Sequence, residues 1–246
     1  MNEQLLLENI RSVLIRLEET IIFALIERAQ FRVNPPVYEP GRFGAATEGE
    51  SLVGFILRET ERVHAKMRRY TSPDEHPFYT GLPAPILPAL RFDESPLRGP
   101  AINHNRRLRE IYETGMVPLL CPPGDDAQYG SAAVCDVAGL QALSRRIHYG
   151  MFVAESKYQE QPAPFAELIS AKDAAGLRRL ITHPEVEGRV LHRVAVKART
   201  YAQEVAGRQE QHKLEPAKVA EIYRRWIIPM TKDVEVEYLL NRPLSG

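Results

Sequence analysis

Apolar residues recur along this chain at spacings of three and four rather than two. Ile10, Leu14, Leu17, Ile21 and Leu25 form one such stripe and predict an amphipathic helix over 3–31. Leu52, Ile56, Val63, Met67 and Tyr70 predict a second over 50–70. Leu140, Leu143, Ile147, Met151 and Ala154 predict a third over about 132–158, with Ser131 as its N-cap. Pro184 suits the first position of a helix continued by Leu191, Val194, Ala198 and Tyr201. Pro216 opens another, striped by Val219, Tyr223, Ile227, Met230 and Val234, and Pro229, lacking an amide hydrogen, is expected to kink or divide it. No stretch combines strict alternation with a hairpin turn. The expected fold is therefore all-α, a single multi-helix domain over 1–246 with its active site inside a helical bundle.

One region departs from the pattern. Residues 71–103 hold seven prolines and read as a long excursion, of the kind that in a compact domain is functional or an interface. Within it, SPDE predicts a short helix start, with Ser72 as cap, Pro73 in the first turn and two acids at the positive end.

Composition narrows the partners. Thirty-two basic residues balance thirty-two acidic ones over 246 positions, so the basic footprint of a nucleic-acid binder is missing and any anion site must be local. The longest apolar run, Ile21 to Ile26, is too short to span a bilayer. No membrane or nucleic-acid partner is expected. Cys121 and Cys135 are too few for a disulfide framework or a zinc site built on CxxC pairs, and are expected to be reduced thiols. The opening MNEQLLLENI lacks the features of a signal peptide, so the cytoplasm is the expected location, a mature plastid form being the alternative.

The informative residues are ionisable groups on or beside inward stripes. Arg146 and Lys157 lie eleven residues apart, three helical turns, with Gly150 and Val153 between them on one small, apolar face. Glu187 continues the Leu191–Val194–Ala198 series by one turn on the buried side. Thr231 and Glu235 share a face beside the Ile227–Val234 stripe, and Arg11 flanks the stripe of the first helix. Each has an ordinary alternative: a charge at a stripe edge snorkels to water, Glu187 and Lys157 pair with each other or with an arginine, Thr231 caps the turn after Pro229. Together, three cations, two carboxyls and a hydroxyl pointing inward are costly to bury without a ligand, and suggest a pocket for a small dianion with further polar groups.

The segments IRSVLIRLEETIIFALIERAQF, RRYTSPDEHPF, GDDAQYGSAAVCDVAGLQALSRRIHYGMFVAESKY and IIPMTKDVEVEYLL resemble, in order and at comparable spacing, the all-helical chorismate mutases of fungi and plants. LQALSRRIHYG and the stretch before it are more similar to the plant branch than to the yeast branch. The resemblance covers nearly the whole chain. It implies conversion of chorismate to prephenate in phenylalanine and tyrosine biosynthesis, without metal or other cofactor. It also implies that Arg11, Arg146 and Lys157 bind the substrate, with Glu187, Thr231 and Glu235 completing the pocket. His183 stands where some members carry asparagine, and is either a further site residue or the cap before Pro184. Family members of this length are homodimers, often inhibited by tyrosine or phenylalanine and activated by tryptophan. The effector site between subunits matches Arg68, Arg69, Gly130 and Ser131, while Ala127 and Gln128 replace asparagines of the yeast-like pattern.

In such a site, Lys157 and Glu235 would be the catalytic donors at the breaking ether bond. A carboxyl donates only when protonated, so activity is expected to fall as pH rises and Glu235→Gln to flatten the profile. The competing readings are a non-catalytic helical scaffold whose inward charges are structural, and a degenerate mutase that only binds amino acids.

Overall fold

The computed structural model describes residues 7–89, 95–205 and 215–244. Among these there is no strand; the elements are α1 (Leu7–Arg28), α2 (Leu52–Lys66), α3 (Asn105–Ile111), α4 (Val117–Leu120), α5 (Tyr129–His148), α6 (Gly150–Glu160), α7 (Pro162–Ser170), α8 (Ala174–Ile181), α9 (Pro184–Val205), α10 (Pro216–Ile222) and α11 (Ile228–Asn241). The expected start of the first helix at 3–6 lies outside the described residues. Between 105 and 181, α3, α4, α7 and α8 are helices that periodicity did not single out, because runs of four to nine residues hold too few turns to show a stripe.

α5 and α6 form the central rod, interrupted only at Tyr149, with α1 and α2 packed on α5 and α11 packed along α6. The rod begins earlier than expected, and Ser131 is not its cap. Gln128 holds that position; Asp126 accepts the Gln128 amide at 3.0 Å and Asp125 the Ala127 amide at 2.7 Å, so the preceding acidic turn starts the helix three residues upstream. Ser131 is left exposed in the first turn.

Two prolines are handled alike. Pro229 does not end its helix: a π-helical turn over Tyr223–Ile227 precedes it, and the Ile228 amide bonds five residues back to Tyr223. Pro118 follows the same kind of turn over Tyr112–Met116, with Val117 bonded to Tyr112. The wider turn makes room for a ring that would clash with the carbonyl four residues back.

α2 differs from its predicted stripe. Val63 and Met67 are exposed, while Val53, Leu57, Glu61 and Ala65 face inward. Glu61 sits in that buried row because its carboxylate accepts the amides of Phe78 and Tyr79 at 2.8–3.0 Å, pinning the proline-rich segment. The helix ends at Lys66 rather than 70, and Arg68 has left-handed backbone at φ 68°. SPDE forms a turn, not a helix start: His76 precedes Pro77, which disfavours α backbone, and Asp74 instead binds Arg145 at 2.7 Å.

A knot around the buried Asp136 carboxylate ties α1 to α5. Arg28 Nε donates to Asp136 at 2.6 Å, and Tyr38 and Tyr112 donate to the same carboxylate at 2.8 and 2.9 Å. Cys121 and Cys135 are both free thiols. No helix among the described residues is long and apolar enough to cross a membrane.

Candidate active site

A cavity of about 260 Å³ opens between α1, the α5–α6 rod, the start of α9 and α11. Arg11, Arg146, Lys157, His183, Glu187, Thr231 and Glu235 all line it, with Ile10, Leu14, Val153, Val190 and Ile228 supplying apolar wall. Residues separated by more than two hundred positions in the chain thus meet around one space.

The close approach of α11 to the rod is made at Gly150. A methyl group there would lie 3.0 Å from the Thr231 carbonyl oxygen and 3.4 Å from Glu235 Cγ, so only glycine lets α11 come this near. That contact carries Thr231 and Glu235 to Arg146 and Lys157. Lys157 Nζ donates to Glu235 Oε2 at 2.9 Å and to the Ile181 carbonyl at 3.1 Å. Glu235 Oε1 accepts no hydrogen bond among the described residues.

Arg146 is buried, with one terminal nitrogen 3.4 Å from Thr231 Oγ1 and a buried Nε that has no partner. Thr231 donates its own hydroxyl hydrogen to the Ile227 carbonyl at 2.7 Å, which leaves the oxygen to accept from Arg146. An orphaned guanidinium donor is expensive to bury and is a vacancy for an acceptor.

Glu187 pairs with Lys232 at 2.6 Å, not with Lys157. Lys232 and Glu160 are lining residues that sequence reasoning missed. Lys232 neighbours Thr231 in the chain, but no spacing shows that α9 brings Glu187 against it. Two of the cavity's four cations are neutralised in this way, Lys157 by Glu235 and Lys232 by Glu187. Arg11 and Arg146 pair with no carboxylate among the described residues and are available to a ligand's anionic groups. His183 caps α9 through its carbonyl, which accepts the Glu187 amide at 3.1 Å; its exposed ring lines the cavity without a hydrogen bond among the described residues.

The four effector positions are not brought together within one chain. Arg69 contacts Glu75 at 3.0 Å, His64 at 2.9 Å and Gln141 at 3.0 Å, while Arg68 donates to the Pro88 carbonyl. Gly130 and Ser131 are exposed at the far end of α5, ten residues and roughly 15 Å of helix rise from Gln141.

A family model described as chorismate mutase type II matches residues 128–236, which include the rod and α11 as far as Val236. The chain is 46% identical to the chloroplastic chorismate mutase 1 of Petunia hybrida, over 98% of this chain and 76% of that protein. Its fold superposes on AtCM1 with tyrosine bound in its allosteric site at a TM-score of 0.88, with 44% identity and 98% of both chains covered. The chorismate mutase of Candida albicans in complex with L-Trp superposes at 0.90, with 41% identity over 97% of this chain and 92% of that one. An all-helical fold shared end to end, with the charged cavity between the rod and α11, establishes that the chain belongs to the eukaryotic chorismate mutase family.

Proposed function

We propose that this cavity binds chorismate and rearranges it to prephenate. Arg11 and Arg146 grip the two carboxylates, Lys157 and Glu235 donate to the ether oxygen, Glu187 accepts from the ring hydroxyl and Thr231 steadies Arg146. The reaction is intramolecular: one carbon–oxygen bond breaks as one carbon–carbon bond forms, with no proton gained or lost. What the protein supplies is a folded substrate conformation and charge stabilisation at the breaking ether.

The observation that carries this reading is the pair of cations without carboxylate partners among the described residues, one of them buried with an orphaned Nε, beside a Lys–Glu pair in the same cavity. Guanidinium groups bind carboxylates through parallel hydrogen bonds and so orient as well as attract. Negative charge on the ether oxygen grows only as the bond breaks, so donors there favour the transition state over the ground state. Glu235 already accepts from Lys157 through Oε2, so a donated proton belongs on Oε1.

The test is prephenate formation by the purified protein, with Arg146→Ala, Glu235→Gln and Glu235→Ala beside it. Turnover that Arg146→Ala lowers by roughly 100-fold or more, and that Glu235→Gln, whose amide still donates, preserves far better than Glu235→Ala, supports the assignment. No turnover at any pH from mildly acidic to neutral overturns it and favours a scaffold.

We further propose a homodimer that binds an aromatic amino acid between subunits. The separation of roughly 15 Å between Gln141, which Arg69 contacts, and Ser131 supports two chains rather than one around such an effector. Turnover measured with tryptophan, tyrosine and phenylalanine in turn tests this, and indifference to all three overturns it.

A further inference from the structure

We infer that Glu155, Tyr238 and Arg242 are positioning residues, a buried clamp that fixes α6 against α11 and so sets the spacing of the Lys157–Glu235 pair. The inference rests on the reading of that pair as the donors at the ether oxygen.

The clamp closes on Glu155. Arg242 Nε donates to one oxygen of its carboxylate at 2.8 Å and a terminal nitrogen to the other at 2.9 Å, a two-pronged fit. Tyr238 donates its hydroxyl hydrogen to the same carboxylate at 2.5 Å, and the Tyr238 oxygen accepts the amides of Arg98 and Gly99 at 3.0 and 3.2 Å. The Arg242 guanidinium lies 3.6 Å from the centre of the Tyr158 ring. All three residues are buried. Burial works against ionisation of Glu155, but the bonds from Arg242, Tyr238 and Gln159 outweigh it and hold the carboxyl below its ordinary range.

None of the three lines the cavity, so none touches the ligand. Glu155 is two residues before Lys157 on α6 and points about 200° away from it, while Tyr238 is just under a turn beyond Glu235 on α11. One ion pair therefore joins α6 to α11 at the cavity, and a second, sealed behind it, joins α6 to the residue that ends α11. A buried ion pair is a poor device for stability alone, since packed apolar side chains of equal volume serve as well or better. What the fork supplies is an axial offset: two parallel hydrogen bonds form at one register and fail at others. Lys157 and Glu235 meet through a single hydrogen bond, which tolerates a range of offsets. Gly150 against Thr231 fixes the helices at one end; Glu155 against Arg242 fixes them about 7.5 Å further along α6. Arg242 follows the last residue of α11, so the chain beyond the catalytic helix closes the clamp.

The experiment measures kcat, KM and Tm for Arg242→Met, Arg242→Lys and Tyr238→Phe, each alone and with Glu235→Ala, well below every Tm. Arg242→Met is expected to lower kcat about tenfold with KM changed less than about twofold, and Arg242→Lys to recover part of the loss. In the Glu235→Ala background the same substitution is expected to cost less than about twofold, because the pair it positions is already removed. Equal losses in both backgrounds, or lower Tm with unchanged kcat, would overturn the inference. If Arg242→Met does not fold, Tyr238→Phe carries the test, since it deletes one hydroxyl and keeps the packing. Failure of the underlying reading looks different: the unsubstituted protein would not turn over, or Glu235→Ala alone would leave kcat unaltered.

Discussion

Gly150→Ala sets helix propensity against close packing. Alanine is favoured over glycine in a helix by up to about 1 kcal/mol, so on local grounds the substitution should stabilise α6. The added methyl would meet the Thr231 carbonyl oxygen at 3.0 Å and Thr231 Cγ2 at 3.1 Å. An ordinary contact is about 3.5 Å, so α11 must retreat by roughly 0.5 Å. It has little freedom to do so, because a carbonyl oxygen inside a helix cannot rotate away and Arg242 holds the far end to Glu155. Overpacking of this kind costs about 1–3 kcal/mol, leaving a net destabilisation of about 0–2 kcal/mol. The larger effect falls on turnover. A displacement of about 1 Å at a reacting geometry can cost about 100-fold, so half that distance between Lys157 and Glu235 predicts a kcat about tenfold lower. Thermal unfolding and steady-state prephenate formation read the two quantities on one preparation. A variant more stable than the parent with full turnover would refute the reasoning: α11 would then yield freely, and its distance from the rod would not govern the pair.

Acid sensitivity is expected from the stacked rings of His76 and His148, 4.5 Å apart. Burial pushes His76 down to about 4, and burial together with the His76 charge pushes His148 down to about 3. Unfolded imidazoles bind protons that the folded ones refuse between pH 6.5 and about 4, so stability is full above that window and falls as pH drops through it. At about 1.4 kcal/mol per pH unit, His76 alone accounts for roughly 3 kcal/mol. Urea unfolding at pH 7 and pH 4.5 measures the loss, and His76→Phe, which keeps the stack, should reduce it; an equal loss in that variant would refute the assignment. Asp136→Ala strands the wholly buried Arg28 and is expected to cost about 3–5 kcal/mol. A midpoint shift worth less than about 1 kcal/mol would show that the Arg28 charge is satisfied by its backbone acceptors alone.

Much of the site was legible before any coordinates. Arg146, Lys157, Glu187, Thr231 and Glu235 were conspicuous because a charge or hydroxyl on an inward helical row is visible in spacing alone, and all five line one cavity with Arg11 and His183. The five long helices were equally visible, since a stripe sustained over several turns is a local property of the chain. Ends and pairings were not. The start of α5 was set by an acidic turn competing with Ser131, and the inward row of α2 by what Glu61 could bind on a distant segment. The partners were decided only in three dimensions: Glu187 with Lys232, Lys157 with Glu235, Glu155 with Arg242. Periodicity says which side of a helix is buried, because that depends on residues a turn apart. It is silent on which helix arrives there and how closely, because that depends on contacts such as Gly150 with Thr231, eighty-one residues along the chain.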